Sequence, residues 1–582
     1  MKRTSLLCSV VGAGLVLAVL SDSKSYGAEN IWKNTGTSFI WNDFNWLSPD
    51  FWADGDDAVF GADGIGAVNV SGPVLVRNIT VNSPGYSIVG GPLSFSETPS
   101  TIAANEDVTI GAIISGPNGF VLQGGSNLTL TAANNFTGGV YVKSGKLTLR
   151  SAGVNGTAAY SIDRIDGIDA GATVEIGTLN DGSDLDGGTS NIRPPDGQLQ
   201  RGGSTGRLNL TGGIFDNKGD NNGINYPPPE GTGTIVNSSP YQRAVFKISK
   251  SDGGTYVFNG QIADGGLTIA KTNGGPGFQQ NVDMNGGNFT MIWGGSNSFT
   301  GFIRMNSGSG NKIILTNNGT LGYPSPINCP SRQILMNSGV IDLNGTSQRV
   351  GYVYTGNDSN SKITNSALGT VSTLTVGYNC TNQVPFNGVA TPRGIRSALL
   401  DNLATGGTLA LTKEGPCIQP IGNYVGDGTP LPNNYHGDTT VKDGILQVLS
   451  VGGISPNSTY RLNTTRGTLN LNYDGTADVS GLVIDGVALP NGVYGSSTAP
   501  ITGPGFIRVT QFRFTRVTYS PAGDSLELTW ISKPGENYFV ETSTDMINWA
   551  LIPFEGEVAS QGEVTTASIS FPVRGSFYRL RK

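Results

Sequence analysis

Apolar and polar residues alternate with a period of two along many short stretches of this chain. Leu128–Thr131 (LTLT) and Lys146–Leu149 (KLTL) are the clearest examples. This period places the leucines on one face of a β-strand and leaves the other face, which suits threonine, to the solvent. The pattern therefore predicts short strands, each with one buried face.

A polar corner separates these two strands. Asn134–Gly139 (NNFTGG) joins them, and Ser144-Gly145 supplies the next turn. Because asparagine and glycine tolerate a positive φ, we expect the chain to turn at Asn134–Gly139 without strain. Related stretches recur at Gly287–Leu315 and Gly407–Leu449, so the strand-corner-strand unit is a repeat.

The unit, Asn127–Leu149 in its clearest form, is too short to bury its own apolar face. Such a unit needs neighbours stacked above and below it, which is the principle of a β-solenoid. We therefore predict an all-β fold: a right-handed parallel β-helix or β-solenoid, followed by a small C-terminal β-sandwich. A row of separate β-sandwiches would also give short strands and glycine-rich turns, but the matched corners and the missing Cys–Trp–Cys pattern favour the solenoid.

The composition agrees with a folded chain of many turns. Glycine accounts for 86 of 582 residues, charged residues make up 14% and hydrophobic residues 37%. Disorder would require more charge and fewer apolar residues. The net charge of −7 and the lack of a basic run disfavour a nucleic-acid partner.

The corners carry a resemblance to a known family. Leu411–Gly415, Asn434–Val441 and Gly444–Leu446 together resemble the autotransporter-associated β-strand repeat of bacterial surface proteins: a K-x-G strand, an Asn-aromatic-x-Gly corner and an x-Gly-x-Leu strand. The other matches are the corners Asn135–Gly139 and Ser298–Gly301, the flanking segments Val340–Gln348 and Leu482–Gly495, and the opening Trp41–Phe60. The resemblance covers most of residues 30–510. It implies a β-solenoid and surface export, and it says almost nothing about activity.

The first residues predict export. Met1–Arg3 is basic, Leu6–Leu20 is apolar over the length typical of a signal-peptide core, and Ser25–Ala28 offers small residues for cleavage after Gly27 or Ala28. We therefore expect a signal peptide at residues 1–28 and a secreted or cell-surface protein; an uncleaved N-terminal anchor is the alternative. No later apolar run reaches 18 residues, so no membrane span is expected in the mature chain.

Aromatic residues concentrate in residues 29–95. This region contains Trp32, Trp41, Trp46 and Trp52. Large aromatic side chains bury much area, so we expect them to cap the first coils of the solenoid. The alternative is a sugar-binding platform, on which the rings would stack against pyranose faces.

The expected solenoid occupies residues 96–512, and the character of the sequence changes at residues 513–582. Within the solenoid, Asn191–Asp196 and Tyr226–Pro229 are proline-rich and predict protruding loops. The last segment has five or six short strands around Trp530 and Trp549, which predicts a compact sandwich. Ser543–Trp549 and the terminal strand resemble a small fibronectin-like module of secreted bacterial proteins. Retention or export is its expected role, and ligand binding is the competing one.

Candidate chemistry is sparse. His436, the single histidine, lies in the third corner, and any Ser–His–Asp or Cys–His site would have to use it. Cys329 and Cys380 are a candidate disulfide pair, although buried free thiols fit equally well, and Cys417 has no assigned partner. Asp181–Gly187 and Asp216–Gly223 are acidic, but their spacing departs from known calcium loops and favours solvated turns. We expect no catalytic residue, cofactor or metal.

The sequence favours a non-enzymatic, secreted or surface-displayed protein with a structural or adhesive role. Its partners would be extracellular polysaccharide or cell-surface components. A carbohydrate-active β-helix enzyme remains the alternative, because two carboxylates facing each other across a groove can hydrolyse glycosides. The carboxylates of residues 160–260 are the candidates for that role. A polysaccharide-binding module that uses the N-terminal tryptophans is the third possibility.

Overall fold

The structure is a computed structural model, and nearly every regular element in it is a β-strand. It describes residues 27–34, 38–47, 51–150, 162, 164–177, 206–218, 225–240, 243–266, 278–306, 310–323, 333–356, 361–378, 394–396, 398–402, 405–422, 432–509, 514–519, 525–532, 537–544, 548–552, 557–561, 564–570 and 576–581. Within these ranges the only helical element is a single 3₁₀ turn at Val451–Gly453. No helix in these ranges is long and apolar enough to cross a membrane.

The strands of the first half of the chain are short and closely spaced. They are β1 (Glu29–Trp32), β2 (Asp57–Phe60), β3 (Ala67–Val70), β4 (Val74–Val76), β5 (Ile79–Val81), β6 (Ser87–Phe95), β7 (Ser100–Ala104), β8 (Val108–Ser115), β9 (Phe120–Gln123), β10 (Asn127–Leu130), β11 (Val140–Val142), β12 (Lys146–Arg150), β13 (Arg164–Ile168), β14 (Thr173–Gly177), β15 (Arg207–Asp216), β16 (Asn225–Tyr226), β17 (Pro229–Asn237), β18 (Ala244–Lys250), β19 (Thr255–Phe258), β20 (Gln261–Asp264), β21 (Gln280–Gly287) and β22 (Thr290–Trp293).

The middle of the chain continues in the same way. Its strands are β23 (Ile303–Met305), β24 (Lys312–Leu315), β25 (Ile334–Met336), β26 (Val340–Asp342), β27 (Gln348–Arg349), β28 (Val353–Thr355), β29 (Lys362–Asn365), β30 (Val371–Val376), β31 (Ala398–Asp401), β32 (Thr408–Lys413), β33 (Ile418–Ile421), β34 (Thr439–Val441), β35 (Gly444–Val448), β36 (Thr459–Leu462), β37 (Gly467–Leu471), β38 (Thr476–Val479), β39 (Gly481–Ile484), β40 (Val487–Ala488), β41 (Gly492–Tyr494), β42 (Ile501–Thr502) and β43 (Phe506–Val509).

Strands β1 to β39 pair in parallel, and each partner lies one turn of the chain away. Strand β10 pairs with β8 before it and with β12 after it, and β12 continues to β14. The registers stack four apolar side chains in one column: Ile110, Leu130, Leu149 and Ile176. All four are at most 2% exposed. This stacking confirms the predicted all-β parallel solenoid, whose core is a set of apolar columns running along its axis.

A second face of the same coils is built in the same way. Strands β7, β9, β11 and β13 pair in parallel, and their registers align Ile102, Leu122, Val142 and Ile168. Farther along the chain, β21, β23, β25 and β28 form another parallel ladder. The alternation predicted for Leu128–Thr131 and Lys146–Leu149 therefore places the leucines in the core, where each is at most 1% exposed.

Tyr226–Pro229, which we predicted to protrude as a loop, is instead part of the core. Tyr226 is fully buried and stacks on Phe246 with ring centroids 4.9 Å apart. The three prolines are also buried, and Pro229 begins β17. The prediction was wrong because proline, although it has no backbone N–H to donate, can occupy the first position of a strand. The other predicted loop, Asn191–Asp196, lies outside the described residues.

The end of the parallel stack has antiparallel pairs. Strand β40 folds back on β39, and β41 pairs antiparallel with β43. Beyond them lie β44 (Phe514–Tyr519), β45 (Ser525–Ile531), β46 (Asn537–Ser543), β47 (Ala550–Leu551), β48 (Glu557–Ala559), β49 (Val564–Ser570) and β50 (Phe577–Arg581). These strands form two antiparallel sheets, β44-β45-β49 and one centred on β46. Trp530 lies in their own apolar core, whereas Trp549 is half-buried with the Arg579 guanidinium 4.5 Å from its ring.

Candidate functional site

The repeated corners share one buried asparagine. Asn134, Asn297 and Asn433 stand two residues before the corner aromatic and are between 2% and 5% exposed. Each Oδ1 accepts a hydrogen bond from a backbone N–H of the preceding coil, at 2.8–2.9 Å. The donors are Ile114, Ile262 and Leu399, respectively. This asparagine thus joins one coil to the next, which we did not foresee, although its recurrence at one position in three corners could have indicated it.

The aromatic and the glycine of the corner have equally definite positions. Phe136, Phe299 and Tyr435 are at most 1% exposed and belong to the core. A Cβ atom added at Gly138 would lie 2.0 Å from the backbone nitrogen of Gly119, and Gly301 and Gly437 meet backbone carbonyls in the same way. These three positions therefore require glycine, because the backbones of two adjacent coils approach each other closely there.

The corner Asn134–Gly139 does not make use of the positive φ that asparagine and glycine tolerate. None of the residues of Asn134–Gly139 has a positive φ, whereas Gly145 in the next turn does, at +76°. The corner asparagine serves as a hydrogen-bonding group rather than as a residue that tolerates left-handed backbone.

His436 occupies the corner position that threonine holds in the second repeat. Its backbone N–H and its Nδ1 both contact Asp401 Oδ2, at 2.9 and 2.6 Å. In the second repeat, Thr300 N–H and Oγ1 contact the carboxylate of Asp264, at 3.2 and 2.5 Å. Both aspartates also accept the N–H of a residue at the next strand, Leu409 or Gln280. The histidine is half-exposed and ties two coils together.

The N-terminal tryptophans form one aromatic cluster. Trp32, Trp41 and Trp46 are at most 1% exposed, and Trp52 packs against them half-buried. The Trp46 ring lies 5.2 Å from Trp41 and 4.9 Å from Trp52, centroid to centroid. Because three of the four rings have no free face, they cannot stack on a sugar in this arrangement.

Two described acidic residues of the candidate enzyme region, Glu175 and Asp216, are held by nearby groups. Glu175 contacts Lys218 Nζ at 3.0 Å and Lys146 Nζ at 3.5 Å. Asp216 Oδ1 accepts the N–H groups of Lys218 and Ser238, and burial raises the pKa of this carboxyl. Among the described residues, no three His, Cys, Asp or Glu side chains are grouped to hold a metal ion. Asp181–Gly187, the remainder of Asp216–Gly223, Cys329 and Cys380 lie outside the described residues.

Lys413, the lysine of the K-x-G pattern, is fully buried. Its Nζ donates to the carbonyls of Glu414, Gly415 and Asp443, at 2.8, 2.7 and 3.1 Å. Burial lowers the pKa of Lys413 and raises the pKa of the neighbouring Cys417 thiol. Through these bonds the lysine links the turn at Glu414 to the turn at Asp443 on the next coil. Cys417 is a buried free thiol.

An open groove of about 690 Å³ borders the third corner. Asn434 and His436 lie on one side, and Asn457 and Asp478 follow on the next turns. Sequence reasoning missed Asn457 and Asp478, because residues separated by about one coil have no local motif in common.

One curated protein is similar to part of this chain. Over 113 residues, which are 19% of this chain, the chain is 33% identical to the protein described as "Adhesin BmaC autotransporter" from Brucella suis biovar 1 (strain 1330). The similarity covers 3% of that protein, so this chain spans a small part of its length. Neither a family model nor a solved structure matches the chain. The similarity supports an autotransporter-type adhesin as the class of protein that this chain resembles.

Proposed function

We propose that this protein is a secreted or surface-displayed bacterial adhesin that acts without catalysis. The similarity to an autotransporter adhesin carries the proposal. The parallel coils support it, because stacked repeats give the long, rigid surface that an extended ligand needs. The corner groups Asn433 and His436 hold coils together, which supports a structural rather than a catalytic role for them.

The finer parts of the proposal follow from the sequence. Residues 1–28 would direct export and be removed, residues 29–95 would cap the solenoid, and residues 513–582 would form a sandwich that retains the protein at the cell surface. Extracellular polysaccharide or cell-surface components would be the partners. Fractionation of cells that express the full chain, with the N-terminus of the exported product determined by mass spectrometry, tests export and cleavage together.

Adhesion is tested with beads that carry residues 29–582. We expect these beads to be retained on surfaces coated with bacterial polysaccharide or whole cells, and beads that carry an unrelated secreted protein to wash off. Reducing ends released into the medium are measured in the same wells. Retention without release supports the adhesin. Release of new reducing ends would instead support the alternative function, a carbohydrate-active enzyme. The absence of retention would refute adhesion.

A further inference from the structure

The groove beside the third corner crosses three consecutive turns of the solenoid. Asn434 lies in the corner before β34, Asn457 precedes β36, and Asp478 lies in β38. Successive coils of a parallel stack are about 4.8 Å apart. The three side chains therefore present hydrogen-bonding groups on successive turns of the solenoid.

Two of these groups form a linked pair of amides. Asn457 Nδ2 donates to Asn434 Oδ1 at 2.5 Å. That bond leaves Asn434 Nδ2 as a donor and Asn457 Oδ1 as an acceptor, and within the described part of the chain neither has a protein partner. A donor and an acceptor held side by side match two neighbouring hydroxyl groups, since each hydroxyl both donates and accepts.

His436 and Asp478 add two oriented polar groups. Because the Asp401 carboxylate only accepts, His436 Nδ1 carries a proton and donates to it, which leaves Nε2 as the second polar atom of the ring. Asp478 is held by Arg508, whose Nε lies 2.7 Å from Asp478 Oδ1. Both side chains are thus fixed in direction before any ligand arrives, which lowers the entropy cost of binding.

Apolar groups complete the lining between these polar side chains. Ile454 and Ala477 are buried beneath the groove, and Val451 is 45% exposed at its border. An apolar floor with a few convergent polar groups is the usual composition of a small-molecule site. A pyranose ring fits such a surface, because it presents C–H groups on its faces and hydroxyl groups at its rim.

The charge of the lining narrows the class of ligand. None of the described residues that line the groove is a lysine or an arginine. Phosphate, sulfate and carboxylate groups are normally bound by those residues. The Asp478 carboxylate is paired with Arg508, and the described lining offers a polyanionic glycan no lysine or arginine of its own, so a neutral sugar is the better fit.

We propose that this groove is a binding subsite for a neutral oligosaccharide, with Asn434 and Asn457 as the principal hydrogen-bonding residues. The inference rests on the proposed adhesive function and names the ligand class of one of its sites. The groove accounts for a few sugar units, and a longer chain would extend from it along the solenoid.

Isothermal titration of residues 29–582 tests the subsite. The probes are neutral hexasaccharides of β-1,4-glucose, β-1,3-glucose, α-1,4-glucose, β-1,4-xylose and β-1,4-mannose, with hexagalacturonate as the anionic comparison. We expect at least one neutral probe to bind, and Asn457→Ala and Asn434→Ala each to weaken it about tenfold. Asn472→Ala, an exposed asparagine outside the groove, should leave the affinity within about twofold. Thermal unfolding of each variant verifies that it is folded.

Three results would overturn the proposal: no binding of any neutral probe, equal binding by wild type and both groove variants, or binding of hexagalacturonate alone. The bead assay separates these results from a failure of adhesion. If beads that carry Asn457→Ala still adhere and no neutral sugar binds, the proposed adhesive function stands. The contact with the ligand then lies outside this groove.

Discussion

Asn433 connects three successive coils through one side chain. Its Oδ1 accepts the backbone N–H of Leu399 at 2.9 Å, and its Nδ2 donates to the carbonyl of Gly453 at 2.9 Å. Both partners are backbone groups in the interior, where water cannot replace a lost hydrogen bond. The asparagine therefore stabilises the stack at a point where the chain leaves the sheet.

Removal of this side chain should be costly. Asn433→Ala leaves the N–H of Leu399 and the carbonyl of Gly453 unpaired, so we expect the free energy of unfolding to fall by about 2–4 kcal/mol. Urea unfolding followed by circular dichroism measures the change. Asn434→Ala, one residue along and exposed, is the control. Equal midpoints for the two variants would contradict the role assigned to Asn433.

The corner glycine gives a second test of the close approach between coils. In Gly138→Ala, the new methyl group would lie 2.0 Å from the nitrogen of Gly119, and backbone atoms cannot move aside easily. We expect a loss of about 2 kcal/mol or more. Gly125→Ala is the matched control, because its Cβ meets nothing within 4 Å and its φ is not left-handed. A Gly138→Ala protein as stable as Gly125→Ala would show that the coils can separate.

A structural role for His436 predicts that threonine can replace it. In His436→Thr the backbone N–H and the new hydroxyl can both contact Asp401, as Thr300 contacts Asp264, so stability should change by less than about 0.5 kcal/mol. His436→Val has nearly the shape of threonine and lacks the hydroxyl. It should therefore be less stable than His436→Thr by about 1 kcal/mol. Equal stability of the two variants in denaturant titrations would argue against the side-chain bond to Asp401.

The tryptophan cluster should behave as core. Trp46 is 1% exposed, and its Nε1 donates to the carbonyl of Trp41 at 2.7 Å. Trp46→Ala should cost about 3–5 kcal/mol, whereas Phe44→Ala, at a side chain 75% exposed, should cost little. Unfolding curves and polysaccharide pull-down are measured on the same samples. A Trp46→Ala protein that is fully stable yet no longer binds polysaccharide would support the alternative interpretation, in which the tryptophans form a sugar-binding platform.

Buried tyrosines predict a loss of stability in alkali. Burial raises the pKa of Tyr460 to about 12, from an ordinary value of 10.0. Between pH 10 and 12 the folded state keeps a proton that the unfolded state has released, so stability falls as the pH rises. The slope approaches about 1.4 kcal/mol per pH unit for one such group, and below pH 10 the contribution is constant.

Tyr460→Phe should therefore reduce the slope of stability against pH between pH 10 and 12. Some slope should remain, because burial also raises the pKa of Tyr435. Tyr323→Phe, at a half-exposed ring, is the control for a tyrosine at the surface. Chemical denaturation at intervals of half a pH unit gives the slopes. A Tyr460→Phe slope identical to that of the wild type would refute the assignment.

The sequence predicted the strands and the faces that they bury. The alternation in Lys146–Leu149 placed the leucines correctly, because the period of a strand is a local property. The alternation could not indicate which strand pairs with which. Leu128 lies beside Leu147, whereas Leu149 lies beside Ile176, since the length of each coil varies.

The details of the corner and the groove depended on contacts between coils. Nothing local distinguishes Asn433, which bridges coils, from Asn434, which faces the groove. Tyr226–Pro229 was misassigned for the same reason. Its prolines are typical of a loop, but Tyr226 stacks on Phe246 of the next coil, and this contact holds the segment in the core. The C-terminal sandwich, the signal peptide and the domain boundaries remain predictions.

The parallel registers also determine how far such a protein can extend. Each strand pairs only with the coil before it and the coil after it, as β10 pairs with β8 and β12. Insertion or loss of one whole coil would therefore change the length by about 4.8 Å while the remaining columns keep their partners. The length of the solenoid can therefore change in steps of one coil. Duplication of a short stretch of the gene would add a coil that packs on the existing columns, without the need for a new core.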